Sequence, residues 1–274
     1  MTVDELIFLG KQSTHSDKAK ILLAEMLNLN PLELLNHLED KVSPEVVDKY
    51  KKAIVSLNNN YPLQYVLGYV NFYGNKFKVN ENVLIPRFET EELVENTISL
   101  INKYFTNHVE IIDLGCGSGA IGITLKKKLP TSSVDLIDIS ELALEVAKEN
   151  AKELNTDVKI FRSDMLSNID NKYDVIISNP PYIKTNEEIE EIVKNNEPHL
   201  ALYGGEDGLF FYDKILKEAS KNLKDKAIIA FEIGYEQAEA VKQLAYKYLD
   251  NIKVIVKKDL SEKDRMVFIL RNIE

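Results

Sequence analysis

With 274 residues, 45% of them hydrophobic, the chain can bury one large core beside a small one. A formal charge of −10 argues against a surface that wraps nucleic acid phosphates and favours protein or small-molecule partners. The single cysteine, Cys116, excludes an internal disulfide, the four histidines lack metal-ligand spacing so that no metal is expected, and no apolar run approaches the ~18 residues needed to cross a membrane. The acidic start Met1-Thr2-Val3-Asp4-Glu5 resembles neither a secretory nor a transit peptide, so a cytoplasmic protein is expected.

Residues 1–64 read as a small helical domain. Thr2 with Glu5 forms a capping box, and Asn30-Pro31 and Ser43-Pro44 each set an N-cap before an N1 proline. Leu22, Leu23, Met26 and Leu27 recur at helical spacing and read as core. From Tyr65 to Phe88 aromatic and β-branched residues, broken by Gly68 and Gly74-Asn75, predict a β-hairpin linking two domains.

Residues 89–274 alternate apolar strands with amphipathic helices: Val109 to Asp113, Val134 to Ile139, Val158 to Phe161, Val175 to Ser178 and Ala227 to Phe231 predict an α/β fold with a parallel sheet. Ile252 to Val256 and Met266 to Leu270 lie too close together for a helical crossover and are expected to pair antiparallel, which makes the sheet mixed and seven-stranded.

Between the first of these strands and its helix runs Asp113-Leu114-Gly115-Cys116-Gly117-Ser118-Gly119. Glycines there allow close backbone approach to a ligand, and Gly117-x-Gly119-x-x-Gly122 also satisfies the dinucleotide pattern. A carboxylate at Asp113 repels a pyrophosphate but welcomes a ligand carrying an ammonium and a sulfonium, such as S-adenosylmethionine. Asp138 is then expected to accept both ribose hydroxyls, or alternatively to cap a helix, a task open to Ser140 as well. Asp164 can accept from an adenine amino group while Met165 lies on the ring, though a turn aspartate reads the same way. Cys116 is expected to contribute backbone contact only.

Asn179-Pro180-Pro181-Tyr182 follows the buried run Val175-Ile176-Ile177. Two prolines remove two N–H donors, leaving carbonyls that only accept beside one amide and one aromatic ring. The corner suits a planar NH2 group, held by the Asn179 oxygen and the Pro180 carbonyl and covered by Tyr182. A base amine and a side-chain amide meet that description equally.

Three segments together, Ile85-Pro86-Arg87-Phe88-Glu89-Thr90-Glu91, the Asp113 to Gly119 loop and Asn179 to Tyr182, resemble the HemK/PrmC family, the peptide chain release factor glutamine methyltransferases. Pro62-Leu63-Gln64-Tyr65, Phe72-Tyr73-Gly74 and Glu197-Pro198 through Gly204-Gly205-Glu206-Asp207-Gly208 extend the resemblance over nearly the whole chain. It implies a Rossmann-like class I methyltransferase fold and methylation of the glutamine in a Gly-Gly-Gln motif of a class I release factor, with S-adenosylhomocysteine as by-product. Gly115 to Gly119, Asp138 and Asn179 match cofactor-contacting positions, Met165 the adenine side, and Asn179 to Tyr182 the glutamine-binding motif. Phe88 departs from the family's usual proline, and Tyr203 from its usual aspartate. A monomer that grips its protein substrate through the helical domain and hairpin, without direct nucleic acid contact, is expected. Rival readings are an adenine amino-methyltransferase acting on a flipped base, a cofactor-binding module without catalysis, and a nicotinamide oxidoreductase.

Overall fold

A computed structural model describes residues 1–273. The chain divides into two compact units, Met1–Tyr69 with Glu190–Asn196, and Val70–Ile189 with Glu197 onward.

The first unit carries helices α1 (Val3–Lys11), α2 (Ser16–Met26), α3 (Pro44–Asn58) and α4 (Leu63–Leu67). Thr2 caps α1 in a full capping box, its hydroxyl accepting from Glu5 N and Glu5 Oε2 accepting from Thr2 N at 3.0 Å. Ser43 caps α3 ahead of Pro44 at N1. Asn30 also accepts from Leu32 N and Glu33 N, but the chain then makes one 3-10 turn, Glu33–Asn36, in place of a longer helix. Only Leu34 of that turn is buried, so no apolar stripe exists to hold further turns. Leu6, Leu22, Leu23, Tyr50 and Leu57 fill the core, and the Tyr50 hydroxyl donates to Ala19 O.

The expected extended linker starts differently. Leu63–Leu67 is a helical turn that buries Leu63 and Tyr65 and is stopped by Gly68 at φ 79°. The hairpin comes next as β1 (Tyr69–Phe72) and β2 (Asn75–Lys78). Its turn sits at Tyr73-Gly74, both with positive φ, the combination whose twist matches two-residue hairpins.

The second unit continues with α5 (Phe88–Tyr104), β3 (Glu110–Leu114), α6 (Ala120–Lys128), β4 (Ser133–Asp138), α7 (Glu141–Glu153), β5 (Lys159–Arg162) and β6 (Tyr173–Ser178). After α8 (Glu191–Asn196), which clusters with the first unit, come α9 (Phe210–Asn222), β7 (Leu223–Glu232), α10 (Ala238–Tyr248), β8 (Ile252–Lys258) and β9 (Asp264–Arg271). The sheet has seven strands in the order β5-β4-β3-β6-β7-β9-β8. The first five are parallel, while β9 runs antiparallel to both β7 and β8. This is the expected mixed sheet.

Alternate strand residues feed two cores. Ile111, Leu136, Ile177 and Ile228 pack with α5, α6 and α7; Ile112, Ile137, Ile176 and Ile229 pack with α9 and α10. Strand order advances from β3 toward β5 on one side and from β6 toward β7 on the other. That reversal opens a crevice at the carboxyl ends of β3 and β6, the place where ligands bind in such sheets. Among the described residues no helix is long and apolar enough to cross a membrane.

Candidate active site

The glycine loop and the proline corner leave adjacent strands at that reversal. Leu114 pairs with Ser178, and Ser178 Oγ donates to Leu114 O at 2.7 Å, joining the two strand ends. Gly115, Gly117 and Gly119 all have positive φ, which L side chains rarely tolerate. Gly122 serves packing instead: a Cβ there would meet Leu136 Cδ1 at 2.7 Å. The third glycine of the apparent dinucleotide pattern thus brings α6 down onto the sheet.

Asp138 ties the loop to the second strand, its Oδ2 accepting from Gly117 N and its Oδ1 from Ser140 N, each at 2.9 Å. Burial raises its pKa, and the backbone amides of Ser140, Gly117 and Ile139 oppose that rise. Ser140 itself caps α7, so Asp138 is not consumed as the cap.

Asp113 lies elsewhere than expected. It is fully buried beneath the loop, not at its mouth, because the first turn of α6 folds back over the strand tip and Gly122 N needs an acceptor; Asp113 Oδ2 takes that bond at 2.9 Å. Its Oδ1 has no partner, and burial, with Asp138 adding a smaller push, raises its pKa to about 7. Burial likewise pushes the Cys116 thiol well up, with Asp113 and Asp138 adding to it, so the thiol stays protonated.

A cavity of about 290 Å³ opens at this edge, and Gly115, Gly117, Asp138, Asp164, Met165, Asn179 and Pro181 are among its lining residues. Cys116, Ser118, Gly119, Pro180 and Tyr182 do not line it. Met165 sits at φ 51° beside Ser163, whose hydroxyl lies 2.9 Å from both Met165 O and Ser167 O and donates its single hydrogen to one of them, and it ends 8% exposed beside Gly115. The Asp164 carboxylate pairs with Lys214 Nζ at 2.6 Å, so that lysine competes with any amino group for it. A broader depression of about 620 Å³ along α1 has no comparable set of loop glycines and buried carboxylates.

At the corner, Asn179 Nδ2 donates to Thr90 Oγ1 at 3.2 Å, and Thr90 Oγ1 donates to Glu232 Oε2 at 2.7 Å. Gln237 Nε2 bridges Tyr182 O and Gly208 O while Gln237 Oε1 accepts from Gly234 N. The Gly204 to Gly208 stretch is pressed against the corner's backbone: a Cβ on Gly204 would stand 2.4 Å from Pro181 O, and one on Gly208 2.3 Å from Tyr182 O. Two further bonds, Ile183 N to Leu202 O and Gly204 N to Ile183 O, continue the contact. Upstream, the buried Glu197 carboxylate accepts from Ile85 N and pairs with Arg87. Burial raises the Tyr182 hydroxyl pKa above its ordinary value, and the nearby Glu232 charge adds to that.

Thr90 and Glu197 stood in the sequence only as parts of longer motifs, and Gln237 and Lys214 carried no local signal. Glu232 did carry one: a carboxylate closing the otherwise apolar run Ala227 to Phe231, on the same sheet edge as Asp113 and Asp138.

The chain is similar to known methyltransferases. Residues 88–228 match the family described as Methyltransferase small domain, and residues 8–68 match the PrmC N-terminal domain. The chain is 40% identical over 267 residues to the release factor glutamine methyltransferase of Bacillus cereus, covering 95% of this chain and 94% of that protein. Its identity to the enzyme of the same description from Streptococcus pneumoniae is 39%, covering 97% and 94%. The catalytic domain of human Mettl16 in complex with an RNA hairpin superposes with a TM-score of 0.58 at 15% identity over 83% of this chain and 82% of that one, a likeness of fold alone. A methyltransferase from Pyrococcus furiosus does so with a TM-score of 0.55 at 18% identity, covering 73% and 91%. With a glycine loop and a proline corner facing one cavity, and identity of this order over nearly its full length, the chain belongs to the release factor glutamine methyltransferase family.

Proposed function

We propose that the protein transfers a methyl group from S-adenosylmethionine to the side-chain amide nitrogen of the glutamine in the Gly-Gly-Gln motif of a class I peptide chain release factor. N5-methylglutamine and S-adenosylhomocysteine are the products, and the modified factor acts in translation termination. The observation that carries this reading is the orientation of Asn179: its Nδ2 is spent on Thr90, leaving Oδ1 as an acceptor on the wall of a cavity shared with Gly115, Gly117 and Asp138.

The residues fit the proposed methyl donor. Asp113 does not line the cavity, but its Oδ1 is a buried carboxylate oxygen without a partner, whose charge favours a cationic ligand nearby, and Asp138 keeps acceptor capacity beyond its backbone bonds. Gly115 and Gly117 would admit the ligand to the backbone, with Met165 packed beside its adenine. When bound, the donor supplies an electrophilic methyl on a sulfonium.

An amide nitrogen is a weak nucleophile because its lone pair is delocalised, so the protein's task is alignment, which contributes up to roughly 7–11 kcal/mol in favourable cases. Asn179 Oδ1 and the Pro180 carbonyl would accept the two amide hydrogens, and Tyr182 would cover the amide plane. The corner motif carries no histidine or carboxylate of its own; the departing proton is passed to solvent. A net charge of −10 supports a protein substrate over nucleic acid, and a monomer suffices. The test is incubation with methyl-labelled cofactor and a release factor: label should enter the intact factor and not its variant with the motif glutamine replaced by alanine. Equal labelling of both would overturn the reading.

A further inference from the structure

Behind the corner lies a chain of polar groups sealed from solvent. Thr90, in the first turn of α5, is 4% exposed and Glu232, at the end of β7, is 2% exposed. Arg265, the nearest cation, is committed to Asp259 Oδ2 at 3.1 Å and to Ile233 O at 3.0 Å. The hydrogen bonds to the Glu232 side chain come from Thr90, at 2.7 Å, and from the Asn179 amide. Glu232 O in turn accepts from the Tyr212 hydroxyl at 2.8 Å, which holds the strand end in place.

We propose that Thr90 and Glu232 are positioning residues that fix the rotation of the Asn179 amide, so that its oxygen and not its nitrogen faces the glutamine to be methylated. The inference rests on the functional reading above and deepens it.

An amide group is nearly symmetric in shape, so packing alone does not choose between its two orientations; its hydrogen-bond partners do. A threonine hydroxyl has one hydrogen. An ionised carboxylate only accepts, so that hydrogen points at Glu232 Oε2 and the hydroxyl's lone pairs face Asn179. Asn179 must then present Nδ2 to Thr90, and Oδ1 is turned to the cavity. A rotated Asn179 would set oxygen against oxygen in a buried place and would offer donors to a substrate NH2 that itself only donates. Glu232 thus dictates polarity at the corner, directly and through the Thr90 hydroxyl, without touching the substrate.

Thr90→Val keeps the shape and removes the hydroxyl, Thr90→Ser keeps the hydroxyl, and Glu232→Gln gives Thr90 a partner that can donate as well as accept. Each is compared with the wild-type chain for kcat and KM with a release factor and for the cofactor Kd. For Thr90→Val, kcat should fall by about thirtyfold or more while KM and the cofactor Kd stay within about threefold. Thr90→Ser should return kcat to within about threefold of wild type, and Glu232→Gln should fall between. Wild-type kcat in Thr90→Val overturns the inference. So does Thr90→Ser as slow as Thr90→Val, or loss of cofactor binding together with turnover in both Thr90→Val and Glu232→Gln. A wild-type chain that leaves the factor unmethylated overturns the functional reading, and the inference with it.

Discussion

Thr90 and Asn179 are 89 residues apart in the chain and 3.2 Å apart in space, where the first turn of α5 meets the end of β6. Through that contact the corner inherits an orientation that its own four residues do not encode. What the orientation is worth to the protein can be measured one group at a time.

Replacing Asn179 with alanine removes an acceptor from the corner and leaves the glycine loop and Asp138 intact. Turnover should drop by roughly 10²-fold or more, the order seen when one preorganised hydrogen-bonding group is deleted from an active site, while the cofactor Kd shifts far less. Single-turnover methylation alongside equilibrium cofactor binding separates the two; unchanged turnover would remove Asn179 from the mechanism.

Asp113→Asn should split stability from ligand affinity. The asparagine oxygen can still accept from Gly122 N, while the substitution replaces an unpartnered buried carboxylate oxygen with an amide group. At about pH 8 the unliganded variant should melt higher than wild type, since a buried charge is gone, yet bind S-adenosylmethionine about tenfold or more weakly. Thermal melts with and without cofactor report both quantities. Unaltered affinity would mean that Asp113 serves the fold alone.

Stability and activity should respond to pH with opposite signs. Burial raises the pKa of Glu232 from 4.5 to about 7, against opposition from Thr90, Arg265 and Asn179 and with support from Glu89; Tyr182 and Tyr212 also face it. Asp113 rises from 3.8 to about 7. Between the unfolded and folded values the native chain holds protons that the unfolded chain has released. Unfolding free energy therefore falls as pH rises through that window and levels off above about 7, by on the order of 3–4 kcal/mol per group at most. Turnover should instead fall below about pH 7, because a protonated Glu232 can donate to Thr90 and release the Asn179 amide. Glu232→Gln should flatten much of both profiles; an unchanged activity profile would separate Glu232 from the corner.

Gly208→Ala would set a Cβ 2.3 Å from Tyr182 O at a residue whose φ is 76°. Backbone carbonyls cannot swing aside as a side chain can, so the corner must shift. A loss of about 2 kcal/mol or more in stability is expected, with turnover reduced further than the global stability loss explains. Gly74→Ala, at φ 75° but with nothing within 4 Å, provides the control for conformational strain without collision. Equal effects from the two would mean that contact with Tyr182 is unimportant.

Much of this molecule was legible residue by residue. Runs such as Val175 to Ser178 and Ala227 to Phe231 became buried parallel strands because an unbroken apolar run between helices has few other places to go. Thr2 and Ser43 capped as their spacing required. Asn30 marks the limit of such local rules: its side chain accepts from Leu32 N and Glu33 N as a cap would, but the 3-10 turn begins only after Leu32, and the residues after Pro31 have too little apolar surface to continue. Leu63–Leu67 shows the converse, a turn of helix in a segment rich in strand-forming residues, held by the burial of Leu63 and Tyr65.

By itself the sequence determined the α/β alternation, the glycine loop, the acceptor-rich corner and their arrival on one sheet edge, since apolar period and proline and glycine geometry act over a few residues. Only the tertiary structure decided that Asp113 lies beneath the loop, that Lys214 takes the Asp164 carboxylate, and that Thr90 and Glu232, 142 residues apart, stand behind Asn179. The physical reason is that burial is patterned locally, whereas a hydrogen bond demands a donor and an acceptor within about 3 Å. Which distant side chains satisfy that demand depends on strand order and on where each helix meets the sheet.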